Sequence, residues 1–349
     1  MTTPHSAARP VPVEFTGKSG EYFKLWVVNL LLTIVTLGIY GAWAKVRNTQ
    51  YMHGHTSIDG HRLRYLATPI QILKGRAIAL ALFITYSVLI NVSVYLGLIL
   101  PLIFMVAVPW LIKQGIRFSL RMTAYRNVRF SFTGTYGGAL MAFLVYPLIG
   151  SVTFFLAMPW ALKKIHEYMY DNITYGGKKL TLNNTTSFYY GVILIAMGIV
   201  IAIITALAMF FVGAGALASG DFRDPAVMMA IAPVFFLGYF LIVYGVSGFV
   251  MANLRNHIYN NLSMEGVASF DSSVSVPGYI LLTFTNGLLL VFTLGLAYPV
   301  TQIRKAAYLA AATEVILQPG LEGLLNTVDD ESAIGEETSE MFDADVSLI

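Results

Sequence analysis

The sequence contains no cysteine, and only 12% of its 349 residues are charged. Without cysteine there is no disulfide, no thiolate nucleophile and no Cys-ligated metal site. Soluble domains carry about 25% charged and about 45–50% apolar residues, whereas 56% of this chain is hydrophobic and its mean hydropathy is +0.68. A water-exposed surface cannot be built with so little charge, so lipid must surround much of the molecule.

Motifs of soluble and intramembrane enzymes are missing as well. The chain has no Gly-x-x-x-x-Gly-Lys-Ser/Thr phosphate loop, no His-Glu-x-x-His and no Gly-x-Ser-x-Gly. Its apolar segments hold almost no ionisable side chains, which argues against a proton-coupled pump with an intramembrane carboxylate. His53, His55 and His61 lie close together in the sequence, but apart from Asp59 nothing completes a metal site. We therefore predict no catalytic residues, no metal, no cofactor and no enzymatic activity.

Seven apolar segments approach the length of a helical membrane span, which needs about 20 residues. The second and third are separated only by the Gly97–Pro101 region and predict a tight helical hairpin. The seven segments cover residues 24–44, 77–97, 98–112, 139–161, 188–213, 228–252 and 279–300.

The chain also repeats itself. A shift of 117 residues places Phe15-Thr16-Gly17 on Phe132-Thr133-Gly134, and a shift of 257 places Thr36-Leu37-Gly38 on Thr293-Leu294-Gly295. No basic residue follows Lys305, and the chain end is strongly acidic, which is typical of a solvated segment. We predict an N-terminal tail, two membrane repeat units, a terminal half repeat and an acidic disordered tail. Their bounds are 1–14, 15–131, 132–269, 270–317 and 318–349.

Five apolar segments run into a basic, amphipathic extension that is followed by a short strand-like stretch. The turns at Asp59-Gly60, Gly176-Gly177 and Glu265-Gly266 contain residues that accept positive φ, which favours β-hairpins. The predicted fold is an all-α polytopic membrane protein, namely an internally repeated helical bundle with small β-hairpins on the cytoplasmic side.

The basic residues indicate how the chain sits in the membrane, because Lys and Arg near helix ends collect on the cytoplasmic side. Of the 22 basic residues, only Arg223 lies in a loop between paired helices. If all seven segments span, successive extensions alternate between the two sides and the units are inverted, as in many secondary transporters. If segments one, four and seven are re-entrant, all extensions share the cytoplasmic side, and breakers such as Gly38, Pro147 and Gly287 favour this. The sequence leaves both topologies open.

Two sets of residues are candidates for function. Asn29 and Asn286 are repeat-equivalent, as are Thr36 and Thr293. They predict a polar path through the bundle, with helix–helix hydrogen bonding as the alternative. Aromatic and basic side chains of the extensions predict anchoring at the membrane interface, with anionic lipid headgroups as partners and no nucleic acid. These anchors are Trp43, Lys45, Arg47, Trp110, Lys113, Trp160, Lys163 and Lys164.

Four stretches of the first repeat unit carry a resemblance to a known family. They are Phe15-Thr16-Gly17, Asn29-Leu30-Leu31-Leu32-Thr33, Thr36-Leu37-Gly38-Ile39-Tyr40 and Trp43-Ala44-Lys45-Val46-Arg47. In these stretches the chain resembles the YjgN-like family of bacterial inner-membrane proteins, and the resemblance extends over most of residues 13–317. It implies a multi-pass protein of the bacterial inner membrane and supplies no catalytic or binding residues.

The repeats and the broken segments predict a transporter-like or channel-like role for a small solute, an argument by fold-level analogy. The alternative is a non-transporting scaffold that binds anionic lipid or a partner protein through its basic cytoplasmic face.

Overall fold

A computed structural model describes residues 8–91, 93–217 and 225–325 of the chain. The helices are α1 Ser19–Val35, α2 Gly41–Gly54, α3 Pro69–Leu89, α4 Val94–Arg121, α5 Tyr136–Leu140, α6 Tyr146–Val152, α7 Met158–Tyr170, α8 Thr186–Leu217, α9 Pro225–Phe240, α10 Ser247–Asn260, α11 Val276–Phe292 and α12 Tyr298–Ala311. Two π-helical stretches, Met141–Val145 and Leu241–Val246, join α5 to α6 and α9 to α10. The strands are β1 Arg9–Phe15, β2 Thr56–Ile58, β3 His61–Arg62, β4 Arg64–Tyr65, β5 Thr123–Tyr125, β6 Val128–Phe132, β7 Ile173–Tyr175, β8 Lys178–Leu182, β9 Leu262–Met264, β10 Ala268–Ser272 and β11 Thr313–Leu317.

All of these strands belong to one antiparallel sheet, in the order β3-β2-β1-β11-β10-β9-β8-β7-β6-β5-β4. The two edge strands, β3 and β4, are consecutive in the chain with only Leu63 between them. The Leu63 N–H donates to Thr56 O at 3.0 Å on one side, and the Leu66 N–H donates to Met122 O at 2.8 Å on the other. The sheet therefore curls into an almost closed barrel.

This barrel makes the predicted fold class wrong, because the protein is not an all-α bundle with separate small hairpins. The turns lie where the sequence predicts them, and Asp59, Gly60, Gly176, Gly177 and Gly266 all have positive φ. An isolated hairpin would leave two edges unpaired, whereas here each edge pairs with the next hairpin. Those partners are distant in the sequence, as the pairing of β1 with β11 illustrates, so no local pattern announces them.

The two chain ends meet in the barrel. The predicted N-terminal tail, 1–14, contains most of β1, which pairs with β11 through Arg9–Pro12 and with β2 through Val13–Phe15. Pro10 and Pro12 thus lie where β1 has a strand on one side only, a position that tolerates a missing N–H group. Residues 318–325, assigned to the acidic tail, pack on the barrel and include a helical segment at 320–325. The rest of both predicted tails, 1–7 and 326–349, lies outside the described residues.

A strand, a pair of antiparallel helices and a second strand recur five times along the chain. Three of the helix pairs are short and turn at residues 36–40, 153–157 and 293–297. These turns share one hydrogen-bond pattern, in which the N–H groups of Gly38, Phe155 and Gly295 donate to the fifth carbonyl before them at 2.8, 2.8 and 2.7 Å. At the tips, the side chains of Leu37, Phe154 and Leu294 are 94%, 89% and 92% exposed, which suits a lipid environment.

The single barrel decides between the two topologies. Because every helix pair starts and ends in the same sheet, all pairs leave and return on one side, and extensions that alternate between two sides are excluded. Segments one, four and seven each cover the turn of a short pair and parts of its two helices, so the fold favours the re-entrant alternative for them. In the described part of the chain, four helices are long and apolar enough to cross a membrane. They are Pro69–Leu89, Tyr95–Arg121, Thr186–Gly213 and Ile231–Asn260.

Candidate binding site in the barrel lumen

The barrel encloses a cavity of about 520 Å³, which we call the lumen. Small-molecule sites commonly occupy roughly 300–1,000 Å³. In β-strands alternate side chains face the same side, and the first and third residues of the strand that follows each helix pair all line the lumen. These residues are Thr56, Ile58, Thr123, Tyr125, Ile173, Tyr175, Leu262, Met264, Thr313 and Val315. Each of the five units thus contributes equivalently to one apolar wall.

One charged side chain, that of Arg255, lines the described lumen. Arg255 lies on α10, seven residues before β9 begins, and its Nη2 donates to the Thr313 hydroxyl at 2.9 Å. Its guanidinium carbon lies 4.1 Å from the centre of the Tyr259 ring, a cation–π contact. Its Nε is enclosed and finds no hydrogen-bond partner among the described residues. No described carboxylate forms an ion pair with it.

Tyrosine hydroxyls supply most of the remaining polarity of the lumen. The Tyr125 hydroxyl donates to Ile58 O and the Tyr175 hydroxyl to Tyr125 O, both at 3.0 Å, so these hydrogen bonds link β7 to β5 and β5 to β2, the latter across the edges where the sheet closes. The hydroxyls of Tyr170 and Tyr259, which are closer to Arg255, make no hydrogen bond to a described residue. Burial raises the pKa of Tyr170 to about 12, so its phenol stays protonated at neutral pH and can act as a donor.

The end of the barrel away from the helices is covered by residues 318–325, which we call the cap. Gln318 N–H donates to Val267 O at 2.9 Å, and the side chains of Leu321 and Leu325 are buried in the core of the barrel. The Leu324 side chain lies over Gly176, where a Cβ would overlap it. The opposite end of the lumen is formed by helix residues, among them Leu120 of α4 and Ala306 of α12.

The residues of the predicted polar path lie in the short helix pairs, outside the described lumen. Asn29 is buried, and its amide donates to the Asn48 side chain at 3.0 Å. Asn286 is buried as well, and it accepts from Arg304 at 2.7 Å. Each asparagine is thus bonded within its own helix pair, and no hydrogen bond joins the two among the described residues. The polar path stays a prediction.

Thr36, Thr153 and Thr293 each occupy the first position of one of the three tip turns. Their hydroxyls accept from the N–H groups of Tyr40, Ala297 and Ala157 at 2.9, 2.9 and 3.1 Å. The same hydroxyls donate back to a carbonyl of the preceding helix. Both hydrogen-bonding roles of each hydroxyl are therefore used inside its own turn.

The predicted interface anchors lie on the second helix of their pairs. Trp43 stacks on Tyr40 at 6.0 Å, and Trp160 contacts Tyr146 edge-on at 5.1 Å between ring centroids. Trp110 is exposed. Arg47 donates to the Tyr40 hydroxyl at 2.8 Å, and Lys163 and Lys164 form ion pairs with Glu167 at 3.1 and 2.9 Å. Lys45 and Lys113 make no ion pair within the described chain, and lipid contact stays a prediction for the whole set.

The three histidines near the first turn contact different partners. His55 and His61 each bond a backbone oxygen, of Tyr51 and Asp59, at 2.7 Å. The His53 ring packs edge-on against Tyr65. Across the described residues no three histidine or carboxylate side chains are grouped as metal ligands.

Sequence reasoning missed the lumen and Arg255. The strands after the helices are mostly three residues long, too short for an alternating pattern to be read. Arg255 is one of several basic residues that follow the apolar segments, and nothing local distinguishes it from the others. A signal for the lumen is visible when the five extensions are compared with one another. Apolar or aromatic residues then stand at matched distances before each turn.

Comparison with known proteins places the chain in context. Residues 10–341 match the family described as bacterial protein of unknown function, DUF898. The inner membrane protein YjgN of Salmonella typhimurium is 28% identical over 365 aligned positions, which cover 91% of each chain. YjgN of Escherichia coli K12 is 22% identical, covering 83% of this chain and 84% of its own. No solved structure matches.

Proposed function

Because the chain belongs to the DUF898 family and is a multi-pass protein of the bacterial inner membrane, we propose that its barrel lumen binds a lipid-derived, largely apolar molecule. The protein thus handles a membrane amphiphile rather than conducting a hydrophilic solute. The observation that carries the proposal is the apolar lumen of the barrel, to which all five units contribute matched residues.

The chemistry of the lumen supports binding. Its described lining holds no histidine and no carboxylate, and its hydroxyls belong to threonine and tyrosine. General acid–base catalysis most often uses histidine or a carboxylate, and the described lining holds neither. Apolar area removed from water stabilises a bound chain by about 25 cal/mol per Å², so a long alkyl group is the ligand that this wall favours.

The position of the lumen supports a membrane source for the ligand. The barrel end of the lumen is covered by the cap, whereas its other end is formed by α4, α10 and α12. Helix α4 and the stretch that includes α10 are two of the helices long enough to cross a membrane. A lipid chain moving along their apolar surfaces would reach the lumen without crossing water.

A transporter-like role remains as the second candidate function. Arg47 and Arg304 each contact an asparagine of the same helix pair, at 3.5 Å to Asn29 and 2.7 Å to Asn286. These two Arg–Asn pairs would favour a polar path through the helices if both faced the same space. A scaffold that binds anionic lipid through its basic face is a third candidate, supported by the excess of basic residues outside the acidic end.

Photolabelling tests the proposal. The protein in lipid nanodiscs is exposed to hexadecanol carrying a diazirine, and labelled residues are mapped by mass spectrometry. We expect label on lumen residues of the strands, loss of that label in Ala310→Phe, which fills the lumen, and retention in the control Ala311→Phe, whose side chain is exposed.

Label confined to the lipid-facing helices of the wild-type protein would contradict the proposal, whatever the variants do. A wild-type map that includes Thr56, Ile173 or Val315 supports it even if Ala310→Phe does not fold, since these residues face only the lumen wall.

A further inference from the structure

Arg255 is a cation that the protein itself does not neutralise. Its guanidinium has five N–H donors, and the structure gives it one hydrogen bond, to Thr313. The enclosed Nε has no described partner, and no described carboxylate lies within ion-pair distance. The residue as a whole is half-buried, and the enclosed part of a cation that has no counter-charge carries a desolvation cost. An anion from outside the protein would complete this arrangement.

The surroundings of Arg255 specify the shape of that anion. Around it are the Tyr259 ring at 4.1 Å and the free phenol of Tyr170, and beyond them the lumen wall is aliphatic and aromatic. An inorganic ion would satisfy the guanidinium but leave the apolar cavity unfilled. A neutral lipid would fill the cavity but leave the guanidinium unpaired. A ligand with one anionic end and one apolar chain would pair with the guanidinium and also fill the cavity.

Resting on the proposed function, we propose that the occupant of the lumen is a single-chain amphiphile whose anionic oxygen headgroup pairs with Arg255. The guanidinium binds two oxygens of a carboxylate or phosphate in a plane, and the hydroxyls of Tyr170 and Tyr259 are the nearest additional donors. A free fatty acid and a lysophosphatidic acid share this chemistry. The proposed occupant carries one alkyl chain, whereas a diacyl lipid carries two.

The five-unit architecture strengthens this assignment. In each unit we compare the residue that lies seven positions before the strand that follows the helix pair. These residues are Thr49, Ile116, His166, Arg255 and Ala306. Arginine therefore stands at one of five equivalent places, and the structural units do not require it there. Its presence places the charge of the described lining on one side of the lumen, which suits a ligand with one charged end.

Competition for the diazirine hexadecanol label tests the assignment. Palmitate, 1-palmitoyl lysophosphatidate and unlabelled hexadecanol are titrated against it at pH 8 in nanodiscs. A charge-assisted hydrogen bond corresponds to roughly tenfold or more in affinity. We expect palmitate or lysophosphatidate to compete at least about tenfold better than hexadecanol in the wild-type protein. The better of the two acids identifies the headgroup.

Variants assign the preference to Arg255. In Arg255→Leu the advantage of the acids over hexadecanol should disappear while hexadecanol competes as before, and Arg255→Lys should keep part of it. The control Arg129→Leu removes an exposed arginine of β6 outside the lumen and should leave the advantage unchanged.

Each failure has a distinct meaning. Equal competition by acids and alcohol in the wild-type protein overturns the anionic ligand but leaves the proposed function standing. An advantage that persists in Arg255→Leu overturns the role of Arg255. Absence of lumen labelling, with no competition by any of the three, overturns the proposed function as well. If Arg255→Leu does not fold, the wild-type comparison and Arg255→Lys still decide.

Discussion

Single residues determine how the barrel is closed and covered. Asp59-Gly60 and Gly176-Gly177 have two successive residues at positive φ, which suits the tight turns that match the twist of a hairpin. These turns could be predicted from their glycines. The turn at Arg126-Asn127 also has positive φ at both residues, and it could not be predicted, because arginine rarely adopts that conformation and only tertiary context imposes it.

Gly176 has a second role, because its missing side chain makes room for the cap. An alanine at 176 or at the neighbouring 177 adopts positive φ at a cost of about 1–2 kcal/mol. At 176 the new Cβ also overlaps the Leu324 side chain, whereas nothing lies near 177. We expect Gly176→Ala to lower the unfolding free energy by about 1 kcal/mol more than Gly177→Ala, measured by thermal unfolding in detergent.

The difference between the two alanine variants should vanish when Leu324→Ala is added to each. A difference that survives in the double variants would show that residues 320–325 do not rest on this turn, because the coupling between contacting side chains is what the double variants remove.

At the scale of elements, the short helix pairs were the better predicted half of the fold. Glycine and proline at Gly38, Pro147 and Gly295 indicated breaks, and the repeat shifts indicated that the breaks are equivalent. The structure places Gly38 and Gly295 in the turns at 36–40 and 293–297, whereas Pro147 lies in α6 and the turn of that pair follows at 153–157. The strands were the poorly predicted half, since a three-residue strand such as Thr56–Ile58 carries too few positions for alternation, and its partners come from other units.

The tip turns depend on one threonine each. The hydroxyl of Thr36 accepts from Tyr40 N–H at 2.9 Å, and that of Thr293 accepts from Ala297 N–H at the same distance. In lipid, water cannot replace the acceptor. We expect Thr36→Val and Thr293→Val each to destabilise the protein by about 1 kcal/mol, and Thr36→Ser and Thr293→Ser to have a smaller effect, as measured by thermal unfolding in nanodiscs.

The serine variants also separate a turn from a polar path. If the valine and serine variants are equally stable, the hydroxyls do not hold the turns, and a role for Thr36 and Thr293 as path-lining groups becomes the better account.

At the scale of the whole molecule, five helix pairs are joined by one barrel whose closing strands come from opposite ends of the chain. This explains why composition predicted the membrane part while the barrel stayed hidden. Hydrophobicity is summed over each segment and is visible locally, whereas a ring of hairpins exists only after β1 has found β11, some 300 residues away in the chain. The lumen, and Arg255 within it, follow from that closure and could not be predicted without it.

The barrel on one side of the membrane is the central claim, and single-cysteine accessibility tests it most directly. The chain contains no cysteine, so His61→Cys, Lys178→Cys and Glu265→Cys at three hairpins, and Asn91→Cys at the far end of α3, can each be labelled alone. With a membrane-impermeant maleimide we expect the three hairpin sites to react only from the cytoplasmic side and Asn91→Cys only from the periplasmic side. Reaction of His61→Cys and Lys178→Cys from opposite sides would contradict the account.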